Sequence, residues 1–446
     1  MTSALDQLIG LQATPERYDI AQQDLIPLQL EAANERLQSR REQIPLLKNR
    51  ASTAGVDKIT DRADLVPLLF AHSAYKSYSE NWLLEGRWDR MAKWIRTVST
   101  YPLDGLDLEG VDGLDGFVSR LQTVGYYVTC SSGTSGKPAL ISCSGADLKI
   151  SATANVQEFS WATGVQPEGD RRFFGLGPRT TVERNEHTRI ALTNAFSSPD
   201  SSFQLDVPPI TVGSIMDMIA LRKRIGDGSA DPSEVAAFEQ LSAQRQKAMD
   251  EALSGAVDEL IACREHKLLL TGMFATLYPI AAGVRAKGFD SSHFRDDTAL
   301  LVGGGLKGAT LPENYREFIL ATFNIGENRI YHFYTMQELN TPFPKCRSGR
   351  YHVPPWVIAL PLDEPGERLL DTESGEIQGR AAFLDLSLDG RWGGVISGDR
   401  VTMDFSSCAC GHQGPTVGQD ITRYADLGGD KISCAGTIDA YVRGEA

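Results

Sequence analysis

Residues 125–143 read GYYVTCSSGTSGKPALISC. The opening run, Gly125–Cys130, is β-branched and aromatic and predicts a strand; Ala139–Cys143 predicts a second short one. Between them Ser131–Pro138 is a polar, glycine-rich loop. Its small residues let backbone N–H groups converge on an anion, with hydroxyls and the Lys137 ammonium completing a cradle. It is not a Walker loop, which needs G-x-x-x-x-G-K-[ST] opening a helix. Here Ser131 stands at the first glycine, Pro138 follows the lysine, and the loop joins two strands. A plain hairpin turn is the competing reading, because Ser/Gly richness often marks one. Composition alone leaves both open.

The surrounding grammar is α/β. Ser144 predicts the cap of a helix from about Ala146 to Trp161, with Asp147 completing a box-like start. Further strands are expected at Arg172–Leu176, Lys267–Thr271, Thr298–Val302 and Arg329–Tyr334, some of them parallel. Residues 17–50 read as helical and amphipathic, and Tyr75–Val98 as a second helical stretch whose Trp82, Trp88 and Trp94, spaced by six, form no sharp face and pack the N-terminal lobe. The stretch between Ile225 and His266 reads as one or two helices, with Pro232 in a first turn. From Arg347 onward short β segments with Gly, Pro and Asp turns predict a β-rich lobe. The expected organisation is a helical portion at 1–120, an α/β core at 121–345, a β-rich lobe at 346–422 and a hinge with short tail at 423–446.

Hydrophobic residues make up 41% and charged residues 23% of the 446, an ordinary globular balance. Acidic residues outnumber Lys plus Arg by 58 to 44, a formal charge of −14. That excludes non-specific binding to nucleic acid or an anionic membrane surface. An anionic ligand would therefore need local positive charge, a metal or backbone N–H groups. No apolar run is long enough to span a membrane, and the first residues do not read as a signal peptide, so a cytoplasmic enzyme is expected. The seven cysteines, an odd count, argue against a disulfide framework.

The residue order of TCSSGTSGKPALIS resembles the phosphate loop of the acyl-adenylate-forming enzymes, the superfamily of acyl-CoA synthetases, luciferases and peptide-synthetase adenylation domains. Three further segments match in family order. Tyr334-Thr335-Met336-Gln337-Glu338 resembles Tyr-Gly-x-Thr-Glu, Ser397-Gly398-Asp399 resembles Thr-Gly-Asp, and Arg423 with Asp426 resembles the Arg-x-x-Asp hinge. Gly303-Gly304-Gly305-Leu306-Lys307-Gly308, the Lys345–Val353 stretch and Cys408-Ala409-Cys410-Gly411 resemble the phenylacetate–CoA ligase branch. The glycine run looks most like the acyl-protein synthetases of bacterial luminescence, with Tyr75-Lys76-Ser77-Tyr78 a weaker element of the same likeness.

The resemblance implies a large α/β adenylation domain with a β-rich lobe, and ATP and Mg²⁺ as cofactors. By it, Ser132, Gly133, Thr134, Ser135, Gly136 and Lys137 hold the β- and γ-phosphates, and Gly303, Gly304 and Thr335 contact the nucleotide. Glu338 is a Mg²⁺ ligand, Tyr334 lies against adenine, Asp399 accepts from the ribose hydroxyls, and Arg423 contacts ribose or α-phosphate. Thr335 and Gln337 depart from the family's glycine and threonine, which leaves the α-phosphate contacts open. The family's C-terminal small domain, with its catalytic lysine, is expected to be absent or vestigial; Lys431 is a conjectural substitute.

Acyl-protein synthetases carry an acyl-accepting cysteine near the C-terminus. Cys434 is the counterpart, with Lys431 three residues earlier lowering its pKa; a small buried strand residue is the alternative. Cys346, His352, Cys408 and Cys410 make an acceptable tetrahedral zinc set, with His412 an alternative fourth ligand. Reduced, unliganded thiols compete with that reading. The expected function is ATP-dependent activation of a fatty or aryl acid and transfer to a protein thiol, beside an acyl reductase. Transfer to CoA or a carrier protein, and an inactive ATP-binding scaffold, are the alternatives. The acid pocket is expected around Phe173–Gly177 and 303–308, and His187, beside Glu186 and Arg189, is expected to be structural.

Overall fold

The computed structural model describes residues 2–100, 104–130, 137–303, 309–370, 375–429 and 432. Two compact units emerge, one from residues 1–154 with 334–446, the other from 155–333. Parallel and antiparallel sheets both occur, so the class is mixed α/β.

The first unit is built on a seven-stranded sheet. Its main path runs Tyr351–His352, Thr416–Val417, Gly394–Asp404, Glu376–Asp385, Val357–Leu362, antiparallel throughout. Phe70–Ala71 adds parallel, and Thr422–Arg423 antiparallel, to Gly394–Asp404. Val357–Leu362 is buried at every position, as its uninterrupted VIALPL sequence requires of a strand covered on both faces. Helix Gln22–Arg40 delivers Leu25, Ala32, Ala33 and Leu37 to the same core. Gly393, at φ +90°, opens the return strand; a Cβ there would meet the Asp385 carbonyl oxygen at 2.3 Å, so glycine is required. The 125–143 segment forms an antiparallel hairpin, Tyr127–Cys130 with Leu140–Cys143, in which Cys130 faces Leu140.

The second unit holds five parallel strands in the order Ser197–Gln204, Arg171–Leu176, Leu268–Gly272, Ala299–Val302, Ile330–Tyr331. Alternation divides their side chains between two cores. Phe174, Leu268, Leu270, Leu300 and Val302 pack with Leu277, Ile280, Ile319 and Phe323. Phe173, Leu269, Ala299 and Tyr331 pack with Phe159, Leu192 and Phe196. A sheet so covered on both faces is the parallel α/β arrangement.

Local breaks revise several expected elements. Tyr75–Val98 is not one helix: Gly86, at φ +64°, separates Glu80–Leu84 from Trp88–Thr97, and a 3₁₀ turn covers His72–Lys76. Trp88 and Trp94 are buried, whereas Trp82 stays partly exposed. Residues 17–50 divide into Gln22–Arg40 and a helix entered through Pro45 at its first turn. The strand Ser197–Gln204 carries no local signal; its sequence SSPDSSFQ has little β propensity, and pairing to Arg171–Leu176 fixes it as an edge.

Candidate active site and cysteine–histidine cluster

Three of the motif residues meet within the first unit. Asp399 lies on Gly394–Asp404 directly opposite Arg423 across the antiparallel pair. Arg423 Nε stands 3.9 Å from Asp399 Oδ1. Tyr334 donates its phenolic O–H to Asp399 Oδ2 at 2.8 Å, and Asp399 N–H donates to Ser397 Oγ at 3.1 Å. The Tyr334 ring sits in the core beside Phe343, Tyr351 and Phe383, with 7% of the residue exposed. Burial, and then the Asp399 charge, raise its pKa well above 10, so it is a permanent donor at neutral pH. The phenol thus orients Asp399, a task that sequence matching did not suggest for it.

Glu338 is held through its backbone. Arg391, 1% exposed, donates from Nη1 to the Glu338 carbonyl at 3.3 Å. Two residues on, Asn340 N–H donates to Asp385 Oδ2 at 2.7 Å and Asn340 Nδ2 to Asp147 Oδ1 at 3.1 Å. Asp147 also accepts the N–H groups of Ser144, Asp389 and Gly390 at 2.8, 2.7 and 3.0 Å, and its own N–H returns to Ser144 Oγ. The helix-capping aspartate is therefore also the buried post to which the Glu338 segment is tied. Among the described residues the Glu338 carboxylate takes no hydrogen bond or ion pair, leaving its oxygens available to a hard cation.

Lys137 closes the hairpin loop with Nζ 4.0 Å from the centre of the Tyr78 ring, while the Tyr78 hydroxyl donates to the Pro138 carbonyl at 2.9 Å. Thr335 is exposed. Ser132, Gly133, Thr134, Ser135, Gly136, Gly304, Lys431 and Cys434 lie outside the described residues. Gly303 belongs to the second unit, where its N–H donates to the Gly272 carbonyl at 3.1 Å.

Cys346, His352, Cys408 and Cys410 also come together. Their ligand atoms all lie within 4.8 Å of one another, with Cys346 and Cys408 sulfurs 3.8 Å apart and Cys410 Sγ 3.3 Å from His352 Nε2. Tetrahedral zinc with Zn–S near 2.3 Å requires S···S edges of about 3.8 Å, so the donor set fits that ion. Two tight turns present the thiols: Gly349 N–H returns to the Cys346 carbonyl, and Gly411 N–H to that of Cys408. Burial lowers His352 to about 4 and pushes Cys410 up to about 12, so these two are neutral at about pH 7, and a bound cation would convert the thiol to a thiolate ligand. His412 stands outside this set; its Nδ1 pairs with Asp19 Oδ1 at 2.6 Å.

In the second unit a cavity of about 640 Å³ opens beyond the carboxyl ends of Arg171–Leu176 and Ser197–Gln204, lined by Arg179, Glu183, Glu186, Gln204 and Asp206. Glu186 takes Arg189 and Arg179, each at 2.6 Å, and His187 Nε2 is 3.7 Å from Glu183.

No protein-family model matches the chain, and no curated protein matches it. Among solved structures it is similar to 2-hydroxyisobutyryl-CoA ligase in an open conformation with 2-HIB-AMP and CoA. That alignment has a TM-score of 0.54 at 14% identity and covers 92% of this chain and 77% of the ligase. The same ligase in its thioesterification state matches with TM-score 0.54 and 14% identity, over 92% of this chain and 70% of that one. At such identity the likeness establishes the fold, that of the adenylate-forming ligases. No described helix is long and apolar enough to cross a membrane.

Proposed function

We propose that this chain activates a carboxylic acid with ATP. A carboxylate oxygen bonds to the α-phosphorus, the bond from that phosphorus to the bridging oxygen breaks, and pyrophosphate leaves with that oxygen. The observation that carries the reading is the meeting of Tyr334, Asp399 and Arg423, from three separate motifs, around one carboxylate. Asp399 is an acceptor suited to ribose hydroxyls, and Arg423 beside it suits a ribose or phosphate oxygen. Lys137, with Ser132–Gly136, would take the β- and γ-phosphates, and Glu338 would hold Mg²⁺. That ion, when bound, neutralises phosphate charge. Both reactants are anions, so positioning and charge compensation dominate catalysis.

For the acyl acceptor the reading is Cys434, within an acyl-protein synthetase of the phenylacetate–CoA ligase branch that supplies an acyl reductase in the cytoplasm. CoA is the second reading, favoured by the CoA held in the similar ligase structures. Zinc in the Cys346–His352–Cys408–Cys410 set would be structural, since all four positions are protein ligands.

The test is acid-dependent exchange of labelled pyrophosphate into ATP over a panel of fatty and aromatic acids. Exchange with one acid class, lost by on the order of a hundredfold in Lys137→Ala or Glu338→Ala, is expected; no exchange with any acid would overturn the reading. Labelled acid remaining on denatured protein, and missing from Cys434→Ala, selects the protein thiol. Label released only when CoA is added selects CoA.

A further inference from the structure

The segment Tyr75-Lys76-Ser77-Tyr78 takes no part in the chemistry described above, yet both of its tyrosines are 1% exposed. It follows the strand Phe70–Ala71, which pairs in parallel with Val395 and Ile396. Those residues precede Asp399 on the same strand, so the segment is anchored to the strand that carries the candidate ribose acceptor. Tyr78 is fixed on two sides. Trp94 meets its ring edge to face, with centroids 5.1 Å apart at 72°, and Trp94 Nε1 donates to Ser77 Oγ at 2.9 Å. Its hydroxyl donates to the Pro138 carbonyl. Over the ring held this way stands the Lys137 ammonium, 4.0 Å from the centroid.

A π face holds a cation differently from a carboxylate. It attracts through its quadrupole and so fixes the position of the charge without neutralising it. The ring contact does not itself cancel the ammonium's charge, and a rigid, buried ring limits the freedom lost when the lysine engages phosphate oxygens. The hydroxyl bond to Pro138 fixes the backbone one residue beyond Lys137, so one side chain sets both the lysine's exit from the loop and its tip.

We propose that Tyr78 is a positioning residue for Lys137, acting through its aromatic face. The proposal rests on the adenylation reading given above. Its test replaces residue 78 with phenylalanine and then with mono-, di- and trifluorophenylalanine in the full-length protein, and measures KM for ATP and kcat in acid-dependent pyrophosphate exchange. Fluorine drains the negative face while barely changing ring volume, so folding is preserved across the series. KM for ATP should climb stepwise, about tenfold from phenylalanine to trifluorophenylalanine, with kcat changing less. In a Lys137→Met background the same series should be flat, because the ring then has no cation to hold. A flat series in protein that retains Lys137 and exchanges pyrophosphate would overturn the role of Tyr78 alone. Absence of exchange in the unmodified protein would overturn the adenylation reading and this role with it.

Discussion

Tyr334 and Asp399, 65 residues apart in the chain, are joined by a hydrogen bond of 2.8 Å from the buried phenol to Oδ2 of the carboxylate. Oδ1 of the same carboxylate faces Arg423. One residue thus receives a neutral donor from the core and a cation from the surface, which fixes the direction of its remaining lone pairs.

Removing the phenolic hydroxyl should expose that coupling. Tyr334→Phe should cost about 1–2 kcal/mol of stability and raise KM for ATP several-fold. The alkaline behaviour carries a sign. The folded pKa is raised, first by burial and then by Asp399. The tyrosine's contribution is therefore fully present below the unfolded value of about 10 and lost as pH rises toward the folded value. Urea unfolding between about pH 9 and 11 should show a shallower loss in Tyr334→Phe; coincident alkaline slopes would refute the assignment.

Arg423 predicts a separation of activity from stability. Its side chain is 61% exposed and its nitrogen is 3.9 Å from Asp399, a geometry that contributes under about 1 kcal/mol to folding. Arg423→Ala should leave the thermal midpoint within a few degrees while lowering pyrophosphate exchange about tenfold or more. A variant that unfolds early, or exchanges at the full rate, contradicts this.

Asp147 should behave in the opposite way. It satisfies the N–H groups of Ser144, Asp389 and Gly390 and the amide of Asn340, in a site 1% exposed. Asp147→Ala orphans several buried donors together, so a loss of about 3 kcal/mol or more is expected by chemical denaturation. A loss below about 1 kcal/mol would mean that water replaces the carboxylate.

The cysteine–histidine set gives a metal prediction with an internal control. Pure, untagged protein should contain one zinc per chain by elemental analysis, and Cys408→Ser with Cys410→Ser should contain none. Chelation should lower the thermal midpoint, because a structural site contributes folding free energy. His412→Ala should keep its zinc, since that imidazole pairs with Asp19. Metal-free protein of full stability would remove the site.

The two paired strands Tyr127–Cys130 and Leu140–Cys143 were legible because they rest on local chemistry: a β-branched and aromatic run, and a short apolar one. The four motif segments were legible for the same reason, each being a short string. The breaks were less so. Gly86 ends a helix that periodicity alone would continue, and SSPDSSFQ became a strand through its neighbour's hydrogen bonds.

For the site, the sequence by itself supplied Lys137, Glu338, Asp399 and Arg423 as candidates, and it named the four cysteine and histidine residues that converge. It could not supply Tyr78 beneath Lys137, Arg391 behind Glu338, or Asp147 as the post joining Asn340 to the 389–390 turn. Nor could it show that the Tyr334 hydroxyl is engaged by Asp399, or that His412 turns to Asp19. Those relations join residues tens to hundreds of positions apart, and their energies depend on burial and direction, which exist only once sheet register and core packing have brought the segments together.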